Sequence, residues 1–357
     1  MNKNIKYLLF GVLSLIVLCL AIFNFFQINI YNYFINSTIE KSLYTQKFNK
    51  EEIVVFTIGT GSPVSAQRAN SGIGIFVNEK FFIFDVGDGI VKKAENMNLP
   101  LAELDGIFLT HYHSDHFIDL PYLINRSWIL GRDHDLNVYG PTGLEEIMNS
   151  NTSFLKLENQ YRVDHHGSEI MDIKYAYGRI NEFAEKNNQI VYNKDKIKIT
   201  AFKVDHSPVS PAVGYMIEYD GKKIVISGDT KINENVFKMA ENADLLIHEV
   251  ILNSLLKRTA TILDQKLLTR NSHILTDIQD YHTPPNEIVK LANKANVKTL
   301  VLTHLVPYPD NLIIKTSLAE VYTESGNLRK SKEFTNELLA ISLGNYPLSY
   351  NLANAHI

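Results

Sequence analysis

Cysteine is almost missing from this chain: Cys19 is the only one in 357 residues. A disulfide framework is thereby excluded, and so is a thiolate metal ligand anywhere past the N-terminal segment. An excess of charge of one sign is also lacking. Thirty-five lysines and arginines against 39 aspartates and glutamates leave a formal net charge of -4, which offers no general attraction to nucleic acid or to anionic lipid. A polyanion-binding surface would have to be local. Residues 142–200 hold Gly143, Gly167 and Gly178 but no proline, with roughly balanced charge, so no basic track for a phosphate backbone is legible there. Nothing is short of core, because a chain of this length can bury one large core or two modest ones.

What is present is concentrated at residues 106–116. A short apolar run, 107–109, reads as a buried strand, and His111, His113, Asp115 and His116 follow it at once. No core needs such a cluster, since crowded imidazoles repel one another when protonated, and a cation is what most easily gathers them. Alternation aims 111 and 113 the same way in an extended loop. Asp115 and His116 open the next helix and point to a second position, so two metals are expected.

Four further candidates, His206, Asp229, His282 and His304, are each expected in a loop directly after a predicted strand. Read alone, His206 fits a plain loop residue and Asp229 a turn aspartate equally well. Asp85 closes the strand 81–84 and is expected to accept a hydrogen bond from a ligand histidine or from the loop backbone. Glu249 is read either as the residue orienting His282 or as a surface glutamate, whereas His134, His165 and His166 are read as surface.

Residues 7–26 form an apolar stretch of about twenty residues, long enough to span a bilayer as a helix. No small-x-small cleavage site follows it, so an uncleaved anchor is expected over 1–28 and a juxtamembrane linker over 29–50. Lys3 and Lys6 favour an inside N-terminus and a folded domain outside the cytoplasm, although Lys41 and Lys47 weaken the asymmetry. Strands are predicted at 53–58, 72–77, 81–86, 196–204, 212–219, 223–227, 245–248 and 299–303, with Asp220-Gly221 as a hairpin turn. Helices are predicted at 117–130, 144–154, 234–241 and 285–295. Helices alternating with two strand-rich halves fit a layered α/β/β/α sandwich with a site along one edge.

The string His111-x-His113-x-Asp115-His116 after an apolar strand resembles the signature of the metallo-β-lactamase fold superfamily. Gly59-Thr60-Gly61-Ser62-Pro63 with Arg68, and Phe84-Asp85-Val86-Gly87-Asp88-Gly89, resemble its ribonuclease Z and arylsulfatase-like branch, and the likeness covers residues 52–343. The resemblance implies a four-layer αβ/βα fold over 51–345, while the residues of the C-terminal part, where the likeness thins, are read as a terminal helix within 317–339, a closing strand at 338–343 and a tail at 346–357. It implies one metal held by His111, His113 and His206 and a second by Asp115, His116 and His304, with Asp229 shared. Zinc comes first for this donor set, with manganese or iron as alternatives.

Also implied are a metal-bridging hydroxide, which Asp115 can orient, His282 as general acid or oxyanion stabiliser, and Asp85 and Glu249 in support. An aspartate rather than a cysteine at 229 favours phosphate or sulfate esters over lactams. The resulting expectation is a membrane-anchored, extracytoplasmic di-metal hydrolase of small or exported esters, with nucleic acid excluded as a partner and a homodimer left open. The alternatives are a ribonuclease Z-like phosphodiesterase facing the cytoplasm and a non-catalytic metal-binding module.

Overall fold

The computed structural model describes residues 3–43, 52–63 and 68–306, and the chain divides into two compact units, 1–47 and 48–357. The first unit is a single helix, α1 (Lys3–Leu43). No proline and, after Gly11, no glycine interrupts it. Its polar side chains turn back onto their own backbone: Asn24 Nδ2 donates to Leu20 O at 3.0 Å, Asn29 Nδ2 to Phe25 O at 2.7 Å and Thr38 Oγ1 to Phe34 O at 2.8 Å. Polar groups need such partners where water is scarce. The portion Lys3–Ile39 is long and apolar enough to cross a membrane, with a mean hydropathy of 2.7 in its most apolar window. The helix overruns the expected anchor end at 28 and takes in much of the expected linker, because nothing in that stretch breaks a helix.

The second unit holds two six-stranded sheets. The first, in spatial order, is β1 (Val54–Gly59), β2 (Gly72–Val77), β3 (Lys80–Phe84), β4 (Leu104–Phe108), β5 (Leu136–Pro141) and β6 (Gly178–Phe183). In the second, β7 (Gln189–Lys194), β8 (Ile197–Lys203), β9 (Val213–Tyr219), β10 (Lys222–Ile226), β11 (Leu245–Ile251) and β12 (Thr299–Val306) follow one another across the sheet. Hairpins join β2 to β3 and β9 to β10. Their turns place Asn78 and Glu79, then Asp220 and Gly221, at positive φ, as tight two-residue turns require. From β3 to β6, and again from β10 to β12, the strands run parallel.

Helices cover the outer faces. The first sheet carries α2 (Ile90–Asn96), α4 (Leu120–Ile129) and α5 (Leu144–His166), with the single turn α3 (Ser114–Phe117) at its edge. The second carries α6 (Glu234–Ala240) and α9 (Pro285–Lys294), while α7 (Asn253–Gln265) and α8 (Thr269–Asp277) form a hairpin between β11 and α9. Strand alternation builds the layers. In β3, Phe81 and Ile83 face the helices while Phe82 and Phe84 face the other sheet. In β10, Ile224 and Ile226 face inward to meet them and Val225 faces α6 and α9. Away from the part-exposed edge strands β6 and β7, both faces of each sheet are therefore buried, which is why the inner strands read as largely apolar runs. The expected four-layer sandwich is the fold found.

Several expected boundaries shift. The helix expected to stop at 154 runs on to His166, because nothing stops it until Gly167, at φ 84°, ends it. His282 follows a 3-10 turn, Ile278–Asp280, rather than a strand. His304 lies inside β12, not after it: Glu249 pairs with Thr303 and Val250 with Leu305, so His304, at φ 43°, is a bulge. The expected tail elements beyond 306 lie outside the described residues.

Candidate metal centre

All the candidate residues gather where strands end. Asp85 follows β3, His111 follows β4, His206 follows β8 and Asp229 follows β10, while Glu249 and His304 lie near the ends of β11 and β12. Parallel neighbours put their carboxyl ends on one side of a sheet, and loops leaving that side can converge on a ligand. The approach is close. Gly87 packs against the α3 backbone so tightly that a Cβ there would fall 2.0 Å from Asp115 O. Gly228, at φ 61°, turns the chain immediately before Asp229.

The ligand atoms form two groups, buried but for the half-buried His113, one of His111, His113, His206 and Asp229 and the other of Asp115, His116 and His304, with the atoms of each within 4.8 Å of one another. A tetrahedral ion with bonds near 2.0–2.1 Å would hold its ligands roughly 3.3 Å apart. In the first group His113 Nδ1 lies 3.1 Å from His111 Nε2 and 3.4 Å from His206 Nε2. In the second, Asp115 Oδ2 is 3.0 Å from His304 Nε2 and 3.4 Å from His116 Nε2. Asp229 Oδ2 stands 3.2 Å from both His116 Nε2 and His304 Nε2, and 3.9 and 4.0 Å from the Nε2 atoms of His111 and His206. One carboxylate thus adjoins both groups. Asp229 Oδ1 and His116 Nε2 are buried with no hydrogen-bond partner, a costly state for polar atoms unless a cation takes up their lone pairs. The donor set therefore fits two divalent cations.

The neighbouring shell fixes which nitrogen faces inward. Asp85, itself at φ 59°, accepts from Thr110 N at 2.8 Å and from Thr110 Oγ1 at 2.9 Å, and its Oδ2 lies 2.8 Å from His116 Nδ1. With its proton on Asp85, the Thr110 hydroxyl is left to accept from His111 Nδ1 at 3.1 Å. His206 Nδ1 donates to the carbonyl of Tyr281 at 3.0 Å. Each of these rings is left with an Nε2 lone pair aimed at the group, as metal-binding histidines require. Thr110 and the Tyr281 carbonyl escape the sequence reading. Thr110 had one clue, its place between strand end and His111, whereas a backbone carbonyl leaves no trace in side-chain identity.

Burial also sets the charge states. Burial lowers His111 and His113 and takes His206 down to about 4. Burial opposes charge on His116 and His304 too, but Asp229 and Asp115 outweigh it and raise both. Burial likewise resists ionisation of Asp115 and Asp229, and His116 with His304 overcomes it, holding both carboxyls far below the usual range.

Beside the groups, His282 comes within 4.8 Å of ligand atoms of Asp229 and His304. Glu249 grips it: Oε2 lies 3.1 Å from His282 Nδ1, and Oε1 accepts from Thr283 N at 2.7 Å. Glu249 is almost wholly buried, which rules out its reading as a surface glutamate. His165 and His166 are exposed at the end of α5, and His134 Nε2 reaches Leu104 O at 3.2 Å, away from the cluster.

Comparison with known proteins agrees with this geometry. Residues 82–305 match the family described as Beta-lactamase superfamily domain. A ribonuclease Z of Mycolicibacterium paratuberculosis is 32% identical over 259 residues, 71% of this chain and 86% of the relative. Among solved structures, the short form of human tRNase Z aligns with a TM-score of 0.54 at 22% identity, over 71% of this chain and 93% of its own. The metallo-β-lactamase fold protein YhfI from Bacillus subtilis aligns with a TM-score of 0.54 at 20% identity, over 76% of this chain and 92% of its own. These two share the fold.

The exclusion of nucleic acid as a partner is overturned, because the relatives matched over some 71% of this chain are ribonucleases. The net charge of -4 is an average over the whole chain, and says little about the few residues that meet a phosphate at one site. A metal-dependent hydrolase is the class that the fold, the buried ligand groups and these relatives share, and the chain belongs to the metallo-β-lactamase fold superfamily, in the branch that contains ribonuclease Z.

Proposed function

We propose that this chain is a zinc-dependent phosphodiesterase that hydrolyses RNA, in preference to the sulfate-ester reading. His111, His113 and His206 would hold one cation and Asp115, His116 and His304 the other, with Asp229 adjoining both groups. Nitrogen and oxygen donors without a thiolate suit zinc, with manganese next. The bound cations supply Lewis acidity at the phosphate and a water acidified towards neutral pH.

The protein side chains do the rest. Asp115, kept ionised by its histidines, can accept a hydrogen bond from the attacking water and orient it, while the proton the water loses passes to solvent. Water forms the new bond to phosphorus as the bond to the leaving oxygen breaks. His282, with Nδ1 on the Glu249 carboxylate, hands the leaving oxygen a proton from Nε2. The observation that supports this reading best is the Glu249–His282 pair, set beside the two ligand groups in a chain whose relatives are ribonucleases Z.

The test is to incubate the full chain, loaded with zinc or manganese, with a precursor transfer RNA and, in parallel, with an aryl sulfate. Cleavage of the RNA that disappears with chelator and in Asp229→Ala is the expected result. Turnover of the sulfate with the RNA left intact would sink the proposal.

An RNA substrate also bears on topology. We propose that Lys3–Ile39 spans a membrane and that the folded domain faces the cytoplasm. Lys41, Lys47 and Lys50 after the span set against Lys3 and Lys6 before it leave no charge bias that would force the domain outside. A reporter active only outside the cytoplasm, fused after Ile357, should stay silent. An active fusion would reject this orientation.

A further inference from the structure

The hairpin of α7 and α8 is anchored at its base and bare at its tip. Leu256, Leu275 and Ile278 pack against Ile251 and Val306 at the ends of β11 and β12, whereas every residue from 264 to 271 is exposed. The turn is a Schellman motif: Leu268 N donates to Leu263 O and Leu267 N to Asp264 O, both at 2.9 Å. Glycine is the usual residue at its left-handed position. Here it is Leu267, at φ 60° and 85% exposed, with Leu268 beside it at 48% and Ile262 at 45%. A leucine held in a strained conformation with its side chain in water contributes nothing to the fold.

Cations accompany it, Lys266 and Arg270 within three positions of Leu267 and Lys257 and Arg258 further back on α7. Lys257, Arg258, Lys266 and Arg270 are exposed, and among the described residues none of them pairs with a carboxylate, although Lys80, Arg126, Arg162, Arg179 and Lys203 elsewhere on the domain do. Asp264 is the only acidic residue between 257 and 273. An apolar point flanked by Lys266 and Arg270, with two more unpaired cations on the same hairpin, matches an anionic lipid surface, with leucines entering the acyl boundary and ammonium and guanidinium groups meeting lipid phosphates. RNA would use the cations and leave the leucines idle.

We propose that the α7–α8 tip docks on the anionic lipid surface of the membrane. This rests on the reading that α1 spans that bilayer, since a spanning helix keeps its domain at the surface and makes even a weak second contact count. The hairpin runs from β11, which carries Glu249, to the turn before His282. Docking would therefore fix the depth and orientation at which the site meets its substrate.

The experiment uses the full chain carrying Cys19→Ser and Leu267→Cys, labelled with an environment-sensitive fluorophore. It is reconstituted into phosphatidylcholine vesicles with or without phosphatidylglycerol and a headgroup spin-labelled quencher. Expected are a blue shift and quenching in the anionic vesicles, reduced by Lys266→Glu with Arg270→Glu and absent for a label at Phe154→Cys on α5. The same probe at Leu268→Cys repeats the reading should the first variant fold poorly. Vesicle-bound chain whose probe at 267 stays as unquenched as the one at 154 overturns the docking and leaves the anchor standing. Chain that does not sediment with vesicles removes both. A spectral change on adding RNA in detergent, without vesicles, would assign the tip to RNA and overturn the proposal.

Discussion

Three imidazoles, His111, His113 and His206, make one half of the centre, and burial keeps all three below the ordinary histidine range. In the other half Asp115 stands among His116 and His304, and there burial loses to the carboxylates, so both histidines are raised and Asp115 is depressed. The first half presents neutral lone pairs to an incoming cation. In the second, protons occupy the place of the cation until it arrives. Equal ligand counts thus conceal unequal binding tasks: the first group has only to receive a cation, and the second must also expel protons.

The strongest way to erase the difference is Asp229→Ala, since that carboxylate adjoins both groups. Both cations should bind poorly and turnover should vanish, as read by metal content after gel filtration together with the RNA assay; a variant that keeps either would show Asp229 is not shared. His282→Ala should leave both halves loaded and slow cleavage by about 10²–10⁴-fold, the usual worth of a positioned proton donor, whereas loss of metal would mark His282 as a ligand. Asp85→Asn disturbs His116 directly and His111 through Thr110. It should weaken metal affinity by roughly 10–100-fold in both halves, and an effect on one half alone would contradict the relay.

Thr110→Val removes the direct contact to His111 and reaches His116 only by way of Asp85, so its effect, about fivefold for one hydrogen bond, should fall mainly on the first half. The pH dependence separates the halves without mutation. His116 holds its proton well above the ordinary histidine range and His304 is raised as well, so loading the second group should release protons at neutral pH. Acid should empty that group first, because His206, at about 4, stays unprotonated much further down. Metal titration in weak buffer with an indicator dye, followed by acid release of the metal, reads both. Simultaneous loss of the two ions would argue against two unlike halves.

The cluster at 111–116, which supplies both halves, was more legible than the ligands that come singly. His111 to His116 announce themselves because four ligands follow one strand, and β3, β4, β8, β9 and β10 read out because strands buried on both faces are largely apolar runs. His206, Asp229 and His304 come singly from distant loops and strands, and only the family resemblance joined them. The bulge that aims His304 depends on pairing between β11 and β12, which no local pattern encodes. β6 and β7 are part-exposed and polar, and β5 ends in Gly140-Pro141, so none of the three is among the strands predicted from sequence. The α7 and α8 helices begin after Leu252 and Leu268 without a side-chain cap, which removes the usual signal for a start.

His304 lies on β12, the last strand among the described residues, while His111 to His116 are laid down nearly two hundred positions earlier, Asp115 and His304 being 189 apart. A chain emerging from the ribosome therefore carries most of its cutting apparatus long before the second group can close. A hydrolase built this way stays incomplete throughout its own synthesis, and its second group closes only when the last described strand has joined the sheet.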